Sequence, residues 1–110
     1  MKAMRLKKPG GLDNIHVSSA PAAAPGPGEI TVRLHASSLN FHDYLVVKGT
    51  IPVEEDRIPM SDGGGVITAI GSNVRDFAVG DHVASTFSPE WLGGEAVPEF
   101  MRLVPGDRSD

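Results

Sequence analysis

The sequence predicts a small, mainly β domain with one or two short helices. Thirteen glycines and nine prolines are spread along 110 residues, and this distribution is typical of short strands separated by turns. The clearest strand covers residues 30–36, where Ile30, Val32, Leu34 and Ala36 alternate with polar residues. Such alternation places one row of side chains against a core and the other toward solvent. No segment has the pattern of a long amphipathic helix.

The amino-terminal part of the chain predicts a hairpin followed by a connector. Residues 1–6 alternate loosely between apolar and basic side chains, and residues 15–18 form a second short run of strand character. The turn residues between these runs favour antiparallel pairing of the two strands. Residues 21–28 contain three prolines, which interrupt backbone hydrogen bonding, so this segment is expected to cross the surface.

A short helix is expected after the 30–36 strand. Asn40 is a favourable N-cap, Asp43 falls in the first turn, and Gly49 supplies a stop signal. The interval allows a helix of about two turns. Residues 50–61 then contain two prolines and an acidic run, which together predict an exposed loop.

The second half of the chain predicts up to three more strands. Residues 65–70 and 82–87 are rich in β-branched and other apolar residues, and glycine-containing turns lie between them. Residues 97–104 are interpreted as one further strand. The glycines and Pro89 near residues 88–94 predict a loop before it.

Composition excludes several classes of function. The formal charge is −4, and charges of both signs are dispersed along the chain, so neither a nucleic acid nor a membrane surface is an expected partner. No apolar stretch approaches the roughly 20 residues of a membrane span, and no signal-peptide core is recognised, so a cytoplasmic location is expected. The absence of cysteine excludes disulfides, thiolate catalysis and cysteine-based zinc sites within this sequence.

Six short segments in a fixed order carry a family resemblance. They are MKA at 1–3, PGPGE at 25–29, ASSLNFHD at 36–43, DGGGV at 62–66, GSNV at 71–74 and FAVGDHV at 77–83. In this order the chain resembles the medium-chain dehydrogenase/reductase superfamily over residues 1 to 93. It is most similar to the amino-terminal, alcohol dehydrogenase-like GroES-like domain of the zinc-independent NADPH:quinone oxidoreductase branch.

The resemblance implies a fold and a domain organisation. The expected fold is a mainly β, GroES-like, partly open barrel of short strands, which forms one wall of an active-site cleft. Residues 1–110 would be one such catalytic domain, truncated, without the Rossmann domain or the returning carboxy-terminal segment that complete the family's proteins. Residues 98–103 faintly resemble a family strand that follows a longer loop. Unpaired strand edges would then favour a homo-oligomer.

A Rossmann domain is not expected within these residues. A dinucleotide-binding turn needs a strand, then glycines at the first, third and sixth positions, then a helix. The glycines at 63–65 precede a predicted strand, and Thr68 occupies the sixth position. These glycines are better explained by close backbone approach.

No zinc site is expected either. Zinc-dependent members of the family have Cys at the position of Asn40 and a His-Glu pair at the positions of Ser61 and Asp62. Asparagine and serine are not usual zinc ligands. The four histidines, His16, His35, His42 and His82, do not have the spacing of a known metal motif.

The resemblance also nominates site residues. Asn40 would line the cleft near both nicotinamide and substrate, although a role as helix cap alone explains it equally well. Tyr44 and Lys48 are the other candidate cofactor-binding residues. His42, Asp43 and Trp91 join Asn40 as candidates for the substrate cleft, and Phe87 would add an apolar wall. Asp43 is expected to have a structural role more than a catalytic one, and no acid, base or nucleophile is assigned.

The implied function is hydride transfer from NADP(H) to a small activated carbonyl, enone or quinone. NADP(H) is the expected cofactor of a full-length parent, and this chain alone is expected to bind it weakly and to be inactive. The alternative is a stand-alone GroES-like module that binds a protein or small molecule without turnover. The residues themselves do not separate the two hypotheses.

Overall fold

The computed structural model describes residues 1–108 of the chain. Most of its regular structure is β, with one α-helix and two single turns of 3-10 helix, at Leu12–Asn14 and Pro98–Met101. The elements follow in the order β1 (Lys2–Leu6), β2 (Ile15–Ser19), β3 (Ile30–Ala36), α1 (Phe41–Lys48), β4 (Gly64–Ile70) and β5 (His82–Ala84). The predicted mainly β class is therefore confirmed.

The strands form two small antiparallel sheets. β1 pairs with β2 from Lys2 opposite Ser19 to Leu6 opposite Ile15, which confirms the predicted hairpin. β3, β4 and β5 form the second sheet in that order, with β4 in the centre. The described residues contain neither a closed barrel nor the parallel sheet of a Rossmann domain, in agreement with the expected partly open architecture.

The hydrophobic core is small and joins distant parts of the chain. Leu6 of β1, Val46 of α1, Ile67 of β4 and Val104 of the carboxy-terminal segment are each almost completely buried. Full burial of such a side chain contributes about 1.5–3 kcal/mol relative to exposure. The core therefore draws residues from β1, α1, β4 and the carboxy-terminal segment, and α1 carries most of the predicted site residues.

α1 begins and ends as the sequence predicts. Asn40 is the N-cap, with an extended backbone, and Gly49 is the C-cap in the left-handed conformation, at φ 85°. Glycine adopts this conformation without steric cost. The eight-residue helix is the longest in the structure, and nothing helical in residues 1–108 has the length and apolarity needed to span a membrane.

Two predicted strands differ from the structure near the carboxy terminus. The strand expected at 82–87 ends at Ala84, although the Ser85 amide still donates to the carbonyl of Gly63. The strand expected at 97–104, with its faint family resemblance at 98–103, is wrong: Pro98 opens a 3-10 turn instead. Proline lacks the amide hydrogen that a ladder needs, and its fixed φ suits the first turn of a helix.

β3 is also less covered than its alternation predicts. Ile30 and Val32 are partly buried, but Leu34 is 62% exposed. The three side chains line an open groove of about 590 Å³ together with Phe77 and Val83. No described element packs over this groove, so the predicted apolar row lies beside solvent.

The first two glycines of β4 allow a test of how β3 and β4 pack. A Cβ on Gly65 would collide with the carbonyl group of Arg33 on β3, whereas a Cβ on neighbouring Gly64 would meet only the Val83 oxygen, at an ordinary 3.8 Å. Gly65→Ala is expected to lower the free energy of unfolding by about 2–3 kcal/mol through overpacking. Gly64→Ala is expected to change it little. Urea unfolding of both variants checks this, and equal effects would contradict the register of β3 and β4.

Candidate functional site

The site begins at the amino terminus of α1, where helix amides need acceptors. Asn40 and Asp43 form a capping box, and the Asn40 backbone amide donates to Asp43 Oδ2 at 2.8 Å. The first amides of a helix have no partner within the helix, and a capping box supplies acceptors for them. The start of α1 is therefore fixed by its own side chains.

Asp43 also connects α1 to the loop that precedes β4. Its carboxylate is 1% exposed and accepts a second hydrogen bond, from the Ser61 amide to Oδ1 at 2.9 Å. Ser61 itself is fully buried. A buried carboxylate is costly unless it is hydrogen-bonded, and two backbone donors provide that compensation. Asp43 therefore acts as a structural link between two segments.

Asp62 extends this link into a polar network. Its carboxylate accepts from the Ser38 amide at 2.8 Å and from the Asn40 side-chain amide at 3.0 Å. The Ser37 hydroxyl adds a third donor, at 3.1 Å. These hydrogen bonds, the one from Ser38 first and that from Asn40 second, hold the pKa of Asp62 below its ordinary value. The Asn40 amide is thereby held in one orientation.

His42 lies on the other side of the Asp43 carboxylate. Its Nε2 is 3.1 Å from Asp107 Oδ2, and its Nδ1 is 3.8 Å from Asp43 Oδ1. The Phe87 ring meets the imidazole edge-on, with the centroids 5.2 Å apart. The structure therefore places His42, Asp43 and Phe87, three predicted residues, next to one another. It also adds Asp107 from the carboxy-terminal segment.

Tyr44 and Lys48 are both exposed on α1. Tyr44 is 52% exposed, and the Lys48 ammonium lies 5.8 Å from the centroid of its ring. Phe41 lies beside Tyr44, with the rings 6.0 Å apart. These three side chains present an accessible aromatic surface with one cation on it.

Trp91 makes its contacts within the carboxy-terminal segment. Its ring stacks on Phe100 with 6.2 Å between centroids, and its indole N–H donates to the Gly94 carbonyl at 3.2 Å. Neither contact involves α1. Four predicted residues therefore lie around the start of the helix: Asn40, His42, Asp43 and Phe87. Trp91 contacts only the carboxy-terminal segment in the interactions described here.

Three residues of this region were not nominated from the sequence. Ser61 and Asp62 entered the sequence argument only as replacements for zinc ligands, and Asp107 did not enter it at all. Only Ser61 and Asp62 had a weak signal in the sequence. They are two polar residues directly before a glycine run at the start of a strand, where their backbone and side-chain groups need hydrogen-bond partners. Asp107 has no local pattern, because its contact with His42 joins residues 65 positions apart.

The residues at this site do not fit a zinc ion. Asn40 and Ser61 are not usual zinc ligands, and the Asp62 carboxylate is engaged by three internal donors. Within residues 1–108, no group of three or more His, Cys, Asp or Glu side chains is arranged to hold a metal. No step that depends on zinc is therefore derived from this site.

The Asp43 link predicts a stability effect that is easily isolated. Asp43→Asn turns one acceptor oxygen into an N–H donor facing a backbone N–H, so one buried amide loses its partner. The free energy of unfolding is expected to fall by about 1–3 kcal/mol. Asp76→Asn, a matched change at an exposed carboxylate, is expected to have little effect. Denaturant unfolding of both variants measures the difference, and equal stabilities would contradict the link.

The Asp62 network predicts a titration effect. Because the folded pKa of Asp62 lies below its unfolded value, its stabilising contribution is present above the unfolded value of 3.8 and is lost as the pH falls through the folded value. Asn40→Ala is expected to raise the Asp62 pKa more than Ser37→Ala does, because Asn40 is the stronger of the two side-chain donors. Carboxyl NMR titration of the three proteins tests this order, which the reverse ranking would refute.

Known proteins share this domain. The family model of the alcohol dehydrogenase GroES-like domain matches residues 26–99. The phthioceranic/hydroxyphthioceranic acid synthase of Mycobacterium tuberculosis is 38% identical over 103 residues, covering 92% of this chain and 5% of the synthase. This chain therefore spans about one twentieth of the length of that curated relative.

Solved structures give the same result. An NAD-dependent alcohol dehydrogenase is 37% identical and has a TM-score of 0.71, with 76% of this chain and 25% of that chain covered. The Escherichia coli quinone oxidoreductase complexed with NADPH is 25% identical and also has a TM-score of 0.71, with 76% of this chain and 26% of that chain covered. Since the family model covers well over half of the sequence, this chain belongs to the alcohol dehydrogenase GroES-like domain family of the medium-chain dehydrogenase/reductase superfamily.

Proposed function

We propose that this domain forms one wall of the active-site cleft of an NADP(H)-dependent oxidoreductase. The substrate is an activated carbonyl, an enone or a quinone, which accepts a hydride. A Rossmann domain, from another part of a longer protein or from another chain, forms the opposite wall and binds most of the cofactor. The likeness to an NADPH-complexed quinone oxidoreductase and to an NAD-dependent alcohol dehydrogenase supports the proposal.

The observation that carries the proposal is the fixed polar network at the start of α1. Asp43 and Asp62 together accept hydrogen bonds from Asn40, Ser61 and both serines before the helix. A cleft wall must hold its groups in one geometry before the reactants arrive, because orientation contributes much of the rate enhancement. This network supplies that rigidity, and all of its hydrogen bonds form within the chain itself.

The exposed face of α1 fits part of a nucleotide. The Lys48 ammonium rests near the Tyr44 ring, and no carboxylate among residues 1–108 pairs with it. A free ammonium attracts a phosphate group, and an exposed aromatic ring offers a flat apolar contact. Tyr44 and Lys48 are thus the residues proposed to contact the cofactor, which supplies the hydride when bound.

The substrate side of the wall is assigned to the region around His42. Asn40 and Asp43 hold the backbone there, His42 pairs with Asp107, and the Phe87 ring beside His42 presents an apolar surface. Trp91 is proposed as a further apolar surface from the carboxy-terminal segment. These residues orient the substrate and exclude water, and none is assigned as acid, base or nucleophile.

The donor set described above favours a reaction without zinc. Alone, this chain is proposed to have no turnover and only weak affinity for NADP(H), since the family binds the pyrophosphate at a Rossmann helix. The proposal retains the cytoplasmic location that the sequence predicts. The competing hypothesis, a stand-alone binding module, predicts tight binding by this chain without any second domain.

Calorimetric titration with NADPH separates these hypotheses. The purified chain is expected to give no measurable binding, whereas the chain mixed with the Rossmann domain of a quinone oxidoreductase relative is expected to bind NADPH and to consume it when a quinone is added. Tight binding by the chain alone would overturn the cleft-wall proposal in favour of the stand-alone module.

A charge variant tests the residues that are assigned to the cofactor. Lys48→Gln is expected to weaken NADPH binding by the mixed domains about fivefold, the loss that follows from removing one exposed charge pair of about 1 kcal/mol. Lys2→Gln removes another exposed lysine, which lies on β1, and serves as the control. Equal affinities for the two variants would remove Lys48 from the site.

A further inference from the structure

The carboxy-terminal segment forms a turn that packs against the candidate site. Val104 is fully buried, and the Arg108 amide donates to the Val104 carbonyl at 3.0 Å. Pro105 fixes one backbone angle between them. The turn therefore begins at an anchored residue and is closed by its own backbone. Between its ends, Gly106 contacts the loop before β4 and Asp107 contacts α1.

Gly106 brings the turn against the backbone of that loop. A Cβ built on Gly106 would lie 2.6 Å from the Met60 carbonyl oxygen, so the close approach requires a residue without a side chain. Met60 itself has a φ of 94°, which is uncommon for a residue other than glycine. The next residue is Ser61, whose amide donates to Asp43. The turn and the Asp43 carboxylate therefore contact adjacent residues of one loop.

Asp107 is a mostly buried carboxylate to which the proposed function gives no role. Its side chain is 9% exposed, and its Oδ2 lies 3.1 Å from His42 Nε2. Its Oδ1 is 3.9 Å from Arg108 Nε and has no hydrogen-bond partner within residues 1–108. Burial of a carboxylate is costly unless hydrogen bonds compensate for it. The contact with His42 supplies that compensation.

The same contact identifies which nitrogen of the His42 ring carries the proton. A neutral imidazole has one N–H, and the hydrogen bond that it makes selects the nitrogen. A carboxylate only accepts, so Nε2 is the donor to Asp107. Nδ1 is buried without a hydrogen-bond partner among the described residues, and it lies 3.8 Å from Asp43 Oδ1, beyond hydrogen-bond distance. Two carboxylates thus face one ring, and the nearer one holds its proton.

The position of this ring matters because Phe87 packs on it. The two centroids are 5.2 Å apart, and the ring planes are at 89°. Phe87 comes after the end of β5, where no strand holds the backbone. An imidazole without its hydrogen bond could turn about its side-chain torsions and lose the contact with Phe87. Asp107 therefore acts on the apolar surface through His42.

We propose that Asp107 is a positioning residue of the substrate wall. It holds the His42 imidazole in the Nε2–H form and thereby holds the Phe87 ring in place. This role rests on the proposed function, which assigns Phe87 to the substrate side, and Asp107 itself touches no reactant. The contacts that carry the role form within residues 1–108, whatever else packs against this domain in a longer protein.

Nitrogen NMR of the histidine rings, recorded on the full chain, tests the proton assignment. At a pH where the imidazole is neutral, His42 is expected in the Nε2–H form. Asp107→Asn keeps the shape, but its amide can donate or accept, so the Asp43 carboxylate alone ranks the two forms and the proton is expected to move to Nδ1. Glu95→Gln, the same change at an exposed carboxylate of this segment, is expected to leave it on Nε2. An Nδ1–H form in the wild type, or an unchanged form in Asp107→Asn, would overturn the proposal.

Proton NMR tests the connection to Phe87. Ring-to-ring nuclear Overhauser effects between His42 and Phe87 are expected in the wild type and in Asp107→Asn, whose side chain still hydrogen-bonds the imidazole. Asp107→Ala removes that hydrogen bond and is expected to abolish them. Equal effects in Asp107→Ala and the wild type would show that Asp107 does not hold the ring pair.

Kinetics of the mixed domains test the consequence for the substrate. Asp107→Ala is expected to raise the KM for the quinone about fivefold with little change in kcat, as for a lost binding contact. The affinity for NADPH is expected to stay the same, because Tyr44 and Lys48 make their contacts elsewhere on α1. Asp107→Asn is expected to restore the wild-type KM, and equal KM values for the wild type and Asp107→Ala would contradict the role. If the wild-type mixture has no turnover, the cleft-wall function fails, whereas the NMR spectra still decide whether Asp107 holds His42.

Discussion

The Asp43 carboxylate lies between the first turn of α1 and the loop that enters β4, and it accepts an amide hydrogen from each. Neither segment is held there by a long run of backbone pairing, since α1 has only eight residues and the loop before β4 is irregular. A short isolated helix is marginal in water, so its position depends on such links and on the burial of Val46. Asn40 and Asp62 then have a fixed frame on which to build the remaining polar network.

Much of this arrangement is visible in the sequence, because its causes are local. Asn40 and Gly49 delimit α1 through capping chemistry that acts over a few residues. Alternation identifies β3, and turn residues separate β1 from β2. The ordered family motifs add the GroES-like architecture, which these local signals alone do not specify. The fold class and most element bounds follow from these two sources together.

The parts that sequence reasoning missed depend on contacts between distant segments. The pairing of His42 with Asp107 and of Asp43 with Ser61 joins residues that share no local pattern. The segment at 97–104 has apolar residues suited to a strand, but Pro98 and the lack of a strand to pair with favour a 3-10 turn. The sequence therefore places the site at the start of α1, because capping signals are local. It does not identify the residues of the loop and of the carboxy-terminal segment that contact the site, because those contacts join distant segments.

The strand predicted at residues 30–36 is present, but its apolar face is more exposed than its alternation predicts. The alternation of Ile30, Val32 and Leu34 with polar residues is the pattern of a strand with one covered face, yet that face is open in the single chain. Binary patterns and folds normally agree, because a mismatch leaves apolar area in water at about 25 cal/mol per Å². With a core as small as this one, such a loss is large beside the modest net stability of a domain. The alternation at residues 30–36 is therefore evidence that the groove beside β3 is an apolar packing surface.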